Sequence, residues 1–194
     1  MPSVAEAESN ACGDLLRVPG IRPAFEIVSV FLMATTFKDR EKVLVGVISD
    51  THGVLMPEVV QALKDVDLII HAGDIGNPEV LDDLRQIAPV VAVRGNMDGG
   101  EWALKLPRTE IVEVGDALLY VLHDKFDLDL DPSASGIRAV ISGHTHRPSA
   151  VEHGDVLFLN PGSSAYPRFH RPASLALLDV HDGTLKLKFV SIKI

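Results

Sequence analysis

The chain has 194 residues, 46% of them hydrophobic and 23% charged, which suits one soluble domain with a well-buried core. Its net charge of -9 argues against a surface built for duplex nucleic acid, because neutralising a phosphate backbone takes clustered Lys and Arg. A single cysteine, Cys12, excludes an internal disulfide framework, and nothing demands an oxidising compartment.

Residues 1–42 differ from the rest of the chain. Pro2, Pro19, Gly20 and Pro23 interrupt them, and no helical or alternating pattern is sustained before Val43, so they read as an N-terminal extension to a domain spanning 43–194. Residues 1–14 carry Glu6, Glu8 and Asp14 without Lys or Arg, which does not resemble a signal peptide. The most apolar run, Ile27 to Phe37, is about half of the ~20 residues that span a bilayer. The expectation is a cytoplasmic protein without a membrane anchor. Met33 is a second candidate for the native start.

From Val43 strands and helices alternate. Val43 to Ile48 reads as a buried strand, and Pro57 opens a helix carrying Val59, Val60 and Leu63. Leu68 to His71 is a second strand. Asn77 caps a second helix, with Pro78 at its first position and Val80, Leu81, Leu84 and Ile87 along its body. Val90 to Val93 is a third strand, and two such units favour a parallel sheet. The second half reads as hairpins, with Glu110 to Val114 and Ala117 to Leu122 joined at Gly115-Asp116. Turns at Gly154-Asp155 and Asp182-Gly183 join Ala150-Val151 to Val156–Leu159 and Leu175–Val180 to Leu185–Ile192.

Chemistry-bearing residues gather where apolar runs stop. Asp50 and His52 follow the first strand in Ser49-Asp50-Thr51-His52-Gly53, and the period of two in extended chain predicts that both aim to one side. Asp74 follows the second strand in His71-Ala72-Gly73-Asp74 and is the best candidate for a bridging carboxylate. Asn96 follows the third, in Arg94-Gly95-Asn96-Met97-Asp98. His123 ends the strand Leu118 to Leu122, and His144 and His146 follow Ala139 to Ile141. Singly, each has an ordinary reading as a turn former or a solvated side chain. Five strands ending in Asp, His or Asn, expected at one sheet edge, point jointly to a metal site with hard oxygen and imidazole donors.

The ordered set DTH, GDIG, GNMD, strand-end His and GHTH resembles the calcineurin-like metallophosphoesterases, and within them the small bacterial and archaeal phosphodiesterases. The resemblance runs from Val43 to near the C-terminus, and NPGS at residues 160–163 adds to it. It implies an α/β fold, a four-layer αββα sandwich with two mixed β-sheets. It also implies two divalent metal ions, one held by Asp50, His52, Asp74 and His146 and the other by Asp74, Asn96, His123 and His144. Asp74, Asn96 and His123 are the residues expected closest to the chemistry. A bridging hydroxide is the implied nucleophile, and the two cations outweigh Asp50, Asp74 and that hydroxide, so a net positive charge faces the phosphate.

Mn²⁺ suits such a mixed site, as do Fe, Ni²⁺ and Zn²⁺. The expected partner is a small phosphoester substrate, and the hairpin edges leave room for a homo-oligomer. Relatives that cleave phosphoprotein monoesters carry His after the Asn, where this chain has Met97. Without that acid, poor leaving groups forfeit roughly 10²- to 10⁴-fold, so diesters with good leaving groups are expected to be favoured. A second departure is Asp124, where many relatives have Gly. Asp98 is either an orienting group or a turn cap, and His71 is expected to be a packed strand-end residue. His153, His170 and His181 read as surface residues, and Arg147, Tyr166 and Arg168 as substrate-contact candidates or solvated loop residues. Two other functions fit the fold: a non-catalytic metal-binding interaction scaffold, as in retromer-subunit homologues, and a phosphomonoesterase.

Overall fold

The computed structural model of the protein describes residues 40–165 and 172–193. Ten strands in this range form two five-stranded mixed sheets. Strands β1 (Lys42–Ile48), β2 (Leu68–His71) and β3 (Val90–Ala92) run parallel, joined by helices α1 (Pro57–Leu63) and α2 (Pro78–Arg85). A helical crossover of this kind is what a parallel pair requires. Strands β9 (Ala173–His181) and β10 (Thr184–Ile192) add an antiparallel hairpin beside β1, giving the order β10-β9-β1-β2-β3.

The second sheet has the order β4-β5-β6-β8-β7. Its members are β4 (Thr109–Val114), β5 (Ala117–Leu122), β6 (Ile137–Ile141), β7 (Ser149–His153) and β8 (Val156–Asn160). Here β5, β6 and β8 are parallel, while β4 and β7 close the edges as hairpin partners. Each sheet thus has three parallel strands, and their carboxyl ends supply the loops of interest.

Alternation assigns the faces. Val43, Val45, Val47, Leu68 and Ile70 of the first sheet pack against Val112, Leu119, Val121, Ala139 and Ile141 of the second, forming the core between the sheets. The opposite face of the first sheet, with Ile48, Ile69 and Leu175, packs under Val59 and Leu63 of α1 and Val80, Leu81 and Leu84 of α2. Val60 is exposed, so the buried stripe of α1 is narrower than its apolar sequence suggests. Asn77 caps α2 by accepting the Glu79 N–H at 3.1 Å, and Pro78 takes the position that needs no intrahelical donor. The outer face of the second sheet is covered by the β5–β6 connection. There, after a 3₁₀ turn at Lys125–Asp127, the side chains of Leu128 and Leu130 pack toward Tyr120, Leu122 and Val140.

The elements agree with the sequence expectations to within two residues at most ends. Residues 1–39, with Cys12 and Met33, lie outside the described range, as do Tyr166, Arg168 and His170. Among the described residues no helix is long and apolar enough to cross a membrane.

Candidate metal centre

The loops after β1 and β2 extend the parallel ladder beyond the strands. Asp50 N–H donates to Gly73 C=O at 3.0 Å, His52 N–H to Asp74 C=O at 3.0 Å and Gly53 N–H to Ile75 C=O at 2.6 Å. Within this ladder Asp50 and His52 have φ of 55° and 48°, the left-handed region. The expected extended period of two is therefore not what aims them. Two left-handed residues curl the chain at the strand end and bring both side chains to the same point. Asp74, His144 and His146 repeat the device, with φ of 55°, 66° and 57°.

Two glycines let the loops close. A Cβ on Gly95 would collide with the backbone nitrogen and Oδ1 of Asp74, and one on Gly143 would strike Ser49 Oγ and lie 2.8 Å from Asp50 Oδ2. The second sheet is locked on by the 160–163 segment. Asn160 Nδ2 donates to Gly143 C=O and to Thr145 Oγ1, Ser163 Oγ donates to Asp50 C=O at 2.9 Å, and Ser164 N–H donates to Ser49 C=O. Donors therefore converge from the carboxyl ends of strands in both sheets, rather than from one sheet edge. The two sheets face each other with these ends adjacent.

Two groups of donor atoms result. In the first, Nε2 of His52 and Nε2 of His146 lie 3.2 Å apart, and His146 Nε2 is 3.1 Å from Asp50 Oδ1. Asp50 is fully buried and its Oδ1 accepts no hydrogen bond. A buried carboxylate oxygen without a donor is costly in a protein interior. A cation between Asp50 and the two imidazoles removes that cost, so the donor set fits a divalent metal. Asp50, Asp74 and His123 likewise offer donor atoms within 4.8 Å of one another.

In the second group Asn96 Oδ1 lies 3.0 Å from His123 Nε2 and 2.9 Å from His144 Nδ1. His123 Nε2 is also 3.4 Å from Asp74 Oδ2. On the far side of its ring His123 Nδ1 donates to Ala72 C=O at 2.7 Å, which orients the ring with Nε2 toward the centre. Burial opposes charge on His123, but Asp74 and the Ala72 carbonyl outweigh it and raise its pKa. Burial likewise raises the Asp74 pKa, and hydrogen bonds from His123 and the Met97 N–H reverse this, leaving the carboxyl below its usual value.

Surrounding residues position these donors. Asp98 resolves into a cross-loop tie: its Oδ1 accepts the Gly76 N–H and its Oδ2 the Gly95 N–H, both at 2.8 Å. Met97 contributes its backbone, whose N–H donates to Asp74 Oδ1 at 2.7 Å, while its side chain is 67% exposed. His71 is a packed strand-end residue, as expected. Its Nδ1 accepts the Gly73 N–H and its Nε2–H donates to Thr51 Oγ1 at 2.9 Å, so neither nitrogen is left for a metal. Thr51 Oγ1 in turn donates to Ile75 C=O. Burial pushes the His71 pKa down to about 3. His153, His181 and Arg147 are all exposed.

A cleft of about 480 Å³ opens beside Asn96, His123 and His144 and is also lined by Arg94, Arg108 and Asp124. Neither arginine has an ion-pair partner among the described residues. Arg94 and Arg108 were not legible as site residues, because an isolated Arg beside a turn carries no periodicity or spacing signal. Asn160 was legible only through the NPGS motif.

A family model described as the calcineurin-like phosphoesterase superfamily domain matches residues 43–183. A probable metallophosphoesterase of Methanocaldococcus jannaschii is 42% identical over 163 residues, covering 77% of this chain and 82% of that protein. The solved structure of an archaeal phosphodiesterase superposes with a TM-score of 0.65 at 25% identity, covering 76% of this chain and 99% of its own. The zinc complex of Vps29 from Entamoeba histolytica superposes with a TM-score of 0.60 at 25% identity, over 77% and 99%.

Proposed function

The chain belongs to the calcineurin-like phosphoesterase superfamily, and on that premise we propose that it is a phosphodiesterase working with two divalent cations. The observation that carries the reading is the pair of donor groups at the strand ends, Asp50 with His52 and His146, and Asp50 with Asp74 and His123. In this reading Asp50, His52, Asp74 and His146 hold one cation, and Asp74, Asn96, His123 and His144 hold the other. Cations held there would supply charge neutralisation of the phosphoryl oxygens and acidify water toward a pKa of ~7.

The protein's own residues do the rest. In this reading Asp74 serves both positions, its carboxylate fixed by the Met97 N–H, and His123 is aimed by Ala72 C=O. Asn96 places a neutral oxygen between His123 and His144, which holds the two rings at a common centre without adding charge. Arg94 and Arg108 offer guanidinium donors to the anionic body of a substrate in the cleft. At Met97 no imidazole is available to protonate a leaving oxygen. A diester with a low-pKa leaving group needs no such proton, and a monoester with a poor one does.

Mn²⁺ is the proposed physiological metal on the grounds of its mixed oxygen and nitrogen donors, and the cytoplasm the proposed compartment. A small phosphoester is the proposed partner, and residues 1–42 are proposed as an extension outside the catalytic domain. The Vps29 likeness supports a second reading, a scaffold that binds metal without turnover. Hydrolysis of an activated aryl diester and the matching monoester by chelator-treated protein with Mn²⁺ restored separates the two. The enzyme reading expects metal-dependent turnover that favours the diester and is lost in Asp74→Asn. Two bound ions without turnover on either ester would establish the scaffold.

A further inference from the structure

We infer that Asp124 is a positioning residue for His144, selecting which ring nitrogen the second donor group receives. The inference rests on the two-cation reading and concerns one half of it. His123 and His144 approach the same Asn96 oxygen but use different atoms, Nε2 at 3.0 Å and Nδ1 at 2.9 Å. Whichever nitrogen faces the centre must be unprotonated, so the other carries the hydrogen and needs an acceptor. His123 has one in Ala72 C=O. The group that faces Nε2 of His144 is Asp124, with Oδ2 at 3.7 Å.

Three features make this contact consequential. The His144 side chain is 43% exposed, so burial does not hold its ring, and a half-turn about its last side-chain bond would put carbon where Nδ1 stands. Its backbone is fixed, with a left-handed φ of 66° and an N–H donating to Asp50 Oδ2 at 3.1 Å, so only the ring is left to orient. Asp124 is itself anchored, because its Oδ1 accepts the Phe126 N–H at 3.1 Å and caps the 3₁₀ turn at Lys125–Asp127. One carboxylate oxygen therefore builds the turn and the other faces the imidazole. At 3.7 Å the contact is an ion-pair approach rather than a hydrogen bond. A cation held at Nδ1 would polarise the Nε2–H bond and tighten that approach, which would couple Asp124 to the affinity of the second position.

The capping and orienting roles separate by substitution. Ser at 124 can cap the turn but is too short to reach His144, whereas Asn can do both without the charge. Mn²⁺ is titrated calorimetrically into chelator-treated full-length wild type, Asp124→Ser and Asp124→Asn, with Asn96→Ala identifying the second binding step. The expected result is a second step weakened roughly 10- to 100-fold in Asp124→Ser, a smaller loss in Asp124→Asn and an unchanged first step. The metal-free melting temperature is expected to stay at the wild-type value in both. A second step within threefold of wild type in Asp124→Ser overturns the inference, as does equal weakening of both steps with a lowered melting temperature. Wild type that binds fewer than two ions overturns the two-cation reading together with it.

Discussion

Asp50, His52, Asp74, His144 and His146 all occupy left-handed backbone, a conformation costing a non-glycine residue on the order of 1–3 kcal/mol. That strain persists because the crossed hydrogen bonds of the loops over-determine it, and its return is a set of side chains held at one point. The residue that braces these loops is His71, neutral and wedged between Thr51 and Gly73. With its pKa lowered from 6.5 to about 3, the folded protein refuses a proton that the unfolded chain accepts. Above pH 6.5 both states are neutral and nothing is lost. As pH falls from 6.5 toward 3 stability drains away, on the order of 5 kcal/mol by the end of that window. Urea unfolding of metal-free wild type and His71→Gln between pH 4 and 7 checks this. The wild-type curve is expected to be steeper by up to about one proton, and parallel curves would remove His71 from the acid response.

At the scale of elements, the site belongs to loops and is built by ties between them. Asp98 joins the β2–α2 loop to the β3 loop through two backbone N–H groups, and so sets Asp74 relative to Asn96. Asp98→Ala leaves both donors without their carboxylate and is expected to cost about 1–3 kcal/mol of stability, measured by urea unfolding. It is also expected to weaken Mn²⁺ binding, whereas a stable variant with wild-type affinity would reduce Asp98 to a turn former. The strands and helices were legible because period-two and 3.6-residue patterns report burial directly, as in Val43, Val45 and Val47 facing the inter-sheet core. The donor residues were legible because each stands where such a run stops. How they converge was not, since a left-handed turn in Asp50-Thr51-His52 has no hydropathy signature. Nor was the division of donors between two sheets, because strand order is set by pairing far apart in sequence. The roles of Asp98 and Asp124 likewise depend on partners in other loops, Gly76 and His144, contacts that local pattern does not encode.

Across the whole molecule, the proposed function asks a chain of net charge -9 to attract an anion. The acidic surface opposes a phosphoester at long range, and in the cleft Asp124, Asp127 and Asp129 offset Arg94 and Arg108, so in the proposed enzyme the local positive field has to come from the cations at the strand ends. Removing the cations would leave the buried carboxylates of Asp50 and Asp74 without a counter-charge, so chelation is expected to abolish both phosphate binding and turnover. The fold concentrates this arrangement by running three parallel strands in each sheet to a common end. In the proposed enzyme two cations occupy that end and share Asp74, and anomalous diffraction from Mn²⁺-grown crystals at the manganese edge would locate them. Two peaks ~3.5–4 Å apart are expected, one among Asp50, His52 and His146, the other among Asn96, His123 and His144, with Asp74 reaching both. A single peak, or two peaks that Asp74 does not join, in protein that still hydrolyses the aryl diester would contradict the shared-carboxylate centre.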